Sequence, residues 1–82
     1  MIDVRLLLFA AVAEAAGRTE VTIQLPQGAT VADLRQGLVA QIPAVDGNLD
    51  GARFAINETF APETAVLNHG DLAAVIPPVA GG

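Results

Sequence analysis

Apolar residues recur along this chain with two different periods, and the switches between them mark its elements. Over residues 3–9, Val4, Leu6 and Leu8 alternate on one face while Leu7 and Phe9 add apolar surface to the other, predicting a central strand. Residues 10–16 are alanine-rich around Glu14, a helix-forming composition, and Gly17 supplies the left-handed residue that ends a short helix or helical turn. From Glu20 to Leu25 the alternation is clean, with Val21, Ile23 and Leu25 opposite Glu20, Thr22 and Gln24. This predicts a strand with one wet face, antiparallel to the first. Residues 26–29 read as a turn. Thr30 then caps a helix over residues 31–41, with Asp33 placed as its capping-box partner. Val31, Leu34, Leu38 and Ile42 form the apolar stripe of that helix, which stops before Pro43. Gly37 costs the helix about 1 kcal/mol relative to Ala, and it permits close packing against a sheet.

The second half is less regular. Residues 43–51 read as a loop. Phe54 and Ile56 alternate with polar or small residues in a strand over 53–58. Residues 59–64 read as irregular around Pro62, residues 65–67 as a short strand and 68–71 as a tight turn. Residues 72–76 are apolar throughout, which places them in the middle of a sheet. The order predicts an α+β protein, a mixed sheet of four to five strands with one main helix packed on one face. That is the layout of the β-grasp or ubiquitin-like fold. Residues 1–76 form the domain and residues 77–82 a flexible C-terminal tail. If the first and last strands lie parallel and adjacent, the tail leaves from the centre of the sheet.

Composition narrows what such a domain does. At 82 residues there is room for one modest core, and 52% hydrophobic residues excludes a disordered chain. The apolar run over residues 6–13 is flanked by Asp3 and Glu14, follows no basic n-region and is too short to span a bilayer, so the expected location is cytoplasmic. A net charge of −5 argues against nucleic acid and anionic membranes and favours partners with basic surfaces. Cys, Ser and Lys are absent, which removes thiolate and serine nucleophiles, disulfides and Schiff bases. Without Lys the chain also cannot receive an isopeptide bond on a side-chain amine. His69, the only His, reads as a turn residue rather than a metal ligand, and no metal site is expected. Asp46 and Asp50 lack the acidic loop terminus of an EF-hand. No phosphate-loop pattern is present.

What remains is the ending. The last strand runs into Pro77-Pro78-Val79-Ala80-Gly81-Gly82. The prolines stop the ladder and favour a stiff, extended segment. Gly81 and Gly82, lacking Cβ, fit a channel too narrow for side chains. From Pro77 to Gly82 the extended chain reaches at most roughly 20 Å, enough to carry a terminal carboxylate into another protein's active site. A frayed terminus explains Gly-Gly taken alone; the Pro-Pro spacer placed directly after a strand favours a delivered reactive group. For docking, Phe60 beside Pro62 reads as an exposed anchor and Phe54 as core. Phe9 fits either role, and Val79 is a further contact.

Three stretches carry a family resemblance. They are Leu8-Phe9-Ala10-Ala11 with Glu14-Ala15-Ala16-Gly17-Arg18, Leu25-Pro26-Gln27-Gly28-Ala29-Thr30-Val31-Ala32-Asp33-Leu34, and Ala55-Ile56-Asn57. With Gly70-Asp71-Leu72 leading into Ile76-Pro77-Pro78-Val79-Ala80-Gly81-Gly82, the chain resembles the molybdopterin synthase small subunit (MoaD) family over its whole length. It departs at Glu58, where that family often has Gln, and at the single Asp71. The resemblance implies a sulfur carrier. An E1-like (MoeB-like) adenylyltransferase using ATP would activate Gly82, and a sulfur donor would convert it to a thiocarboxylate. The tail, with Gly81, Ala80, Val79, Pro78 and Pro77, would enter a large catalytic (MoaE-like) subunit, and Phe60 and Phe9 would help dock the body. The sulfur would go to a cyclic pterin phosphate in molybdenum cofactor synthesis. No bound cofactor is implied. Two alternatives stand beside this reading: a sulfur carrier for thiamine, cysteine or tRNA thiolation, and a non-catalytic ubiquitin-like module with an inert tail.

Overall fold

The two segments expected at the centre of the sheet are neighbours. In the computed structural model, which describes residues 1–78, β1 (Ile2–Leu7) pairs antiparallel with β2 (Glu20–Leu25). After β3 (Arg53–Ile56) and β4 (Thr59–Ala61) comes β5 (Leu72–Ile76), which lies parallel to β1 on its other side. β3 pairs antiparallel with both β5 and β4, giving the order β2-β1-β5-β3-β4. Parallel pairing of the first and last strands needs a crossover, and everything between β2 and β3 supplies it.

One face of the sheet is covered. α1 (Ala10–Ala16) ends at Gly17, whose φ of 73° lets its N–H turn back to the Ala13 carbonyl at 2.9 Å. α2 (Val31–Gln41) starts with a complete capping box: Asp33 N donates to Thr30 Oγ1 at 3.4 Å, and Thr30 N donates to Asp33 Oδ2 at 2.9 Å. The stripe Val31, Leu34 and Leu38 is fully buried against Val4, Leu6, Ile23, Phe54 and Val75. Among the described residues no buried side-chain polar atom lacks a hydrogen-bond partner.

Gly37 sits where α2 approaches β2. A β-carbon placed there would stand 3.1 Å from Ile23 Cγ2 and 3.2 Å from Leu25 Cδ2. Gly37→Leu is therefore expected to destabilise the fold by about 1–3 kcal/mol, outweighing its better helix propensity. A lowered midpoint with unchanged m-value in urea unfolding would show this.

Five expectations need correction. Strand β1 spans Ile2–Leu7 rather than 3–9, because Phe9 already caps α1, although Leu8 N still donates to Thr19 O at 2.8 Å. Residues 43–51 are not plain loop. A 3-10 helix, Pro43–Asn48, begins on Pro43 and buries Val45, and Leu49 just beyond it is buried too. Strand β3 stops at Ile56 because Asn57 and Glu58 take φ of 50° and 72°. That two-residue turn folds Thr59–Ala61 back as β4, so a segment read as irregular is an edge strand. Residues 65–67 form no strand. They tie to the start of α2 through one Thr30–Val66 bridge, with Leu67 N donating to Ala29 O at 2.8 Å.

Candidate functional site

The site grows from the side of the sheet that the helices leave bare. Leu6 faces the core, so Leu7 faces outward, and each residue paired with it across the strands faces outward too. The register puts Glu20, Leu7, Ala74, Ala55 and Phe60 in one row across all five strands. Leu72 flanks the row on one side and Ile76 on the other. Leu7, Leu72, Ala74, Ile76 and Ala55 are each half-buried, and Phe60 is 50% exposed. The result is an apolar strip on an otherwise polar face.

The tail begins on this strip. Ile76 is the last paired residue of β5, opposite Arg53, and Pro77 ends the ladder. Pro77 is half-buried and Pro78 exposed. Phe9 is extended (φ −131°, ψ 157°), so it keeps the alternation of β1 and shares the side of Leu7. Because β5 runs parallel to β1 with Leu7 opposite Ala74, Phe9 stands level with Ile76, where the tail leaves. It is 45% exposed. Phe54, by contrast, is 1% exposed and belongs to the core. Phe9 and Phe60 thus lie on one face, toward its two edges, with the tail root between them. Val79, Ala80, Gly81 and Gly82 lie outside the described residues.

Charge on the strip comes from residues that periodicity did not single out. The guanidinium of Arg53 lies 3.9 Å from the centroid of the Phe60 ring, a cation–π contact that holds both side chains over the face. At the β2 margin Arg5 pairs with Glu20 at 2.9 Å, and both are about half exposed, so the pair adds little stability. On the helix side, the Arg35 guanidinium lies 4.9 Å from the Phe54 ring centroid, and its Nε donates to Glu63 Oε1 at 3.0 Å. At the far end of β5, Asn57 ties the hairpin turn to the strand: Leu72 N donates to its Oδ1 at 3.0 Å and its Nδ2 donates to Asp71 Oδ1 at 3.1 Å. His69 is a turn residue, with Nδ1 accepting from the Asp3 N–H at 3.0 Å.

Among the described residues no group of three or more His, Cys, Asp or Glu is gathered that could hold a metal ion. No helix among them is long and apolar enough to cross a membrane.

A five-stranded mixed sheet crossed by one capped helix, with its last strand central and running into a tail, defines a ubiquitin-like β-grasp protein. The ThiS family model matches residues 6–82, and the chain belongs to that family. It is 36% identical over 83 residues to the molybdopterin synthase sulfur carrier subunit of Mycobacterium tuberculosis, covering 100% of both chains. It is 31% identical over 81 residues to the protein of that name from Arabidopsis thaliana, covering 99% of this chain and 84% of that one. The crystal structure of H. volcanii small archaeal modifier protein 1 superposes with a TM-score of 0.91 at 29% identity, covering 96% of this chain and 100% of the other. The resemblance read from the motifs and the β-grasp layout read from the element order are both borne out: this is a ubiquitin-like carrier of the ThiS and molybdopterin synthase small-subunit type.

Proposed function

We propose that this protein carries sulfur to a molybdopterin synthase as a thiocarboxylate on Gly82. The observation that carries the reading is end-to-end similarity to a molybdopterin synthase sulfur carrier subunit, in a chain whose last residues are Gly81-Gly82. The chemistry follows from what a carboxylate lacks. It is a poor electrophile, so an E1-like adenylyltransferase first lets the Gly82 carboxylate attack the α-phosphorus of ATP, releasing pyrophosphate. A sulfur nucleophile then attacks the acyl carbon and AMP departs with one of the former carboxylate oxygens. Gly81 and Gly82 leave that carbon unhindered, and the partners supply acid–base groups and oxyanion stabilisation. The loaded tail enters a large catalytic subunit and gives its sulfur to a cyclic pterin phosphate.

Docking uses the apolar strip. Phe60 and Phe9 are the exposed aromatics on the described part of the face, and aromatic anchors concentrate binding energy. Titrating the large catalytic subunit by calorimetry checks this. Phe60→Ala is expected to weaken binding by about 1–2 kcal/mol, with a stability loss below about 1 kcal/mol because the ring is half exposed. Undiminished affinity would move the docking surface off the strip.

A further inference from the structure

The Leu49–Ala52 turn lies beside the tail root, and one side chain pins it from behind. Ala52 N donates to Leu49 O at 3.0 Å, closing the turn, and Gly51 at its tip has a φ of 74°. Arg35 reaches both carbonyls: Nη1 donates to Leu49 O at 3.3 Å and Nη2 to Ala52 O at 3.1 Å. Its Nε is held by Glu63 and its plane lies over Phe54, so the fork is fixed at every end. On the other side of the turn is the tail. A β-carbon placed on Gly51 would stand 3.5 Å from Pro78 Cβ and 3.6 Å from Pro78 Cγ. The ring of Pro78 therefore faces the bare tip of the turn, one carbon's contact away.

From this geometry we infer that the Arg35-pinned turn is a rest for Pro78 and sets the direction in which the tail leaves the sheet. Arg35 and Gly51 are positioning residues for the reaction at Gly82, and they touch none of the reacting atoms. The sequence alone supplies a stiff spacer, but a stiff spacer on a free pivot sweeps a cone. Proline fixes φ at Pro77 and Pro78. The remaining freedom lies at the ψ angles after Ile76, and a contact at Pro78 restricts it. A tail already aimed loses less entropy on entering a channel, so the benefit falls on capture and not on the chemical step. The inference rests on the carrier reading.

The test pairs NMR with adenylation kinetics on the full chain. Nuclear Overhauser contacts between Gly51 Hα and the Pro78 ring protons are expected in the wild type. With an E1-like adenylyltransferase of the molybdopterin pathway, ATP–pyrophosphate exchange gives KM for this protein and kcat. Pro78→Ala is expected to raise KM about two- to fivefold with kcat unchanged. Arg35→Gln keeps both prolines, loosens only the rest, and is expected to lose the Gly51–Pro78 contacts and raise KM similarly. If Arg35→Gln loses its folded spectrum, Glu63→Ala replaces it, since it frees the Arg35 Nε from an exposed carboxylate.

Missing contacts in the wild type would overturn the inference. So would wild-type KM in the Arg35→Gln or Glu63→Ala protein beside a raised KM in Pro78→Ala, which would assign the effect to proline stiffness alone. A wild-type chain that supports no exchange contradicts the carrier reading and this inference together, whereas variants at wild-type KM contradict the inference alone.

Discussion

Removing Gly82 is expected to abolish activation and leave the fold untouched. The strand that organises the sheet ends at Ile76, and the buried core among the described residues runs from Ile2 to Val75. Deletion shifts the terminal carboxylate back by one residue, about 3.5 Å along an extended chain, and reaction geometry tolerates far less than that. A loss of at least about 10²-fold in ATP–pyrophosphate exchange is expected, with the thermal midpoint within error of the wild type. Gly81→Val is expected to act in the same way, since a β-branched side chain cannot enter a channel shaped for glycine. A Gly82-deleted protein that is still activated would remove the tail from the chemistry.

The largest stability effect is expected at Phe54. It is the largest fully buried side chain, on β3 between two strands, and its ring also lies under the Arg35 guanidinium. Phe54→Ala leaves a cavity in the core and costs about 3–5 kcal/mol. A domain of this size has a total stability of roughly 4–12 kcal/mol, so the variant approaches the unfolding threshold. Loss of the cooperative urea transition, or a midpoint shifted far down, is the expected result. A change below about 1 kcal/mol would mean that the site collapses to fill the space.

The parts of this fold that were legible in the sequence are those where local pattern and tertiary role agree. The alternation of β2 and the capped stripe of α2 appear in the structure at the expected residues, because burial on one face dictates both. The unbroken apolar run of residues 72–76 marked a central strand for the same reason. Strand β4 escaped because Thr59-Phe60-Ala61 is too short to show a period, and because its turn, Asn57-Glu58, takes positive φ without the glycine that would announce it. The 3-10 helix escaped because its glycine and asparagine suit a loop equally well. At the site, Phe60 was legible as an exposed aromatic, but the row that joins it to Leu7 and Ala74 exists only once strand order is known. Arg35 gave no local signal: its partners lie 14, 17 and 28 positions away. The end proposed to carry the chemistry, Val79 to Gly82, lies outside the described residues, and the proposal rests on residue type and on similarity to relatives.

The most direct test of the carrier reading is the intact mass of this protein after incubation with ATP, a sulfur donor and an E1-like adenylyltransferase of the molybdopterin pathway. The expected result is a gain equal to replacing one oxygen by sulfur, mapped by fragmentation to Gly82 and lost when the large catalytic subunit and its pterin substrate are added. An unchanged mass, with the same enzyme loading a molybdopterin synthase sulfur carrier subunit in a parallel reaction, would contradict it.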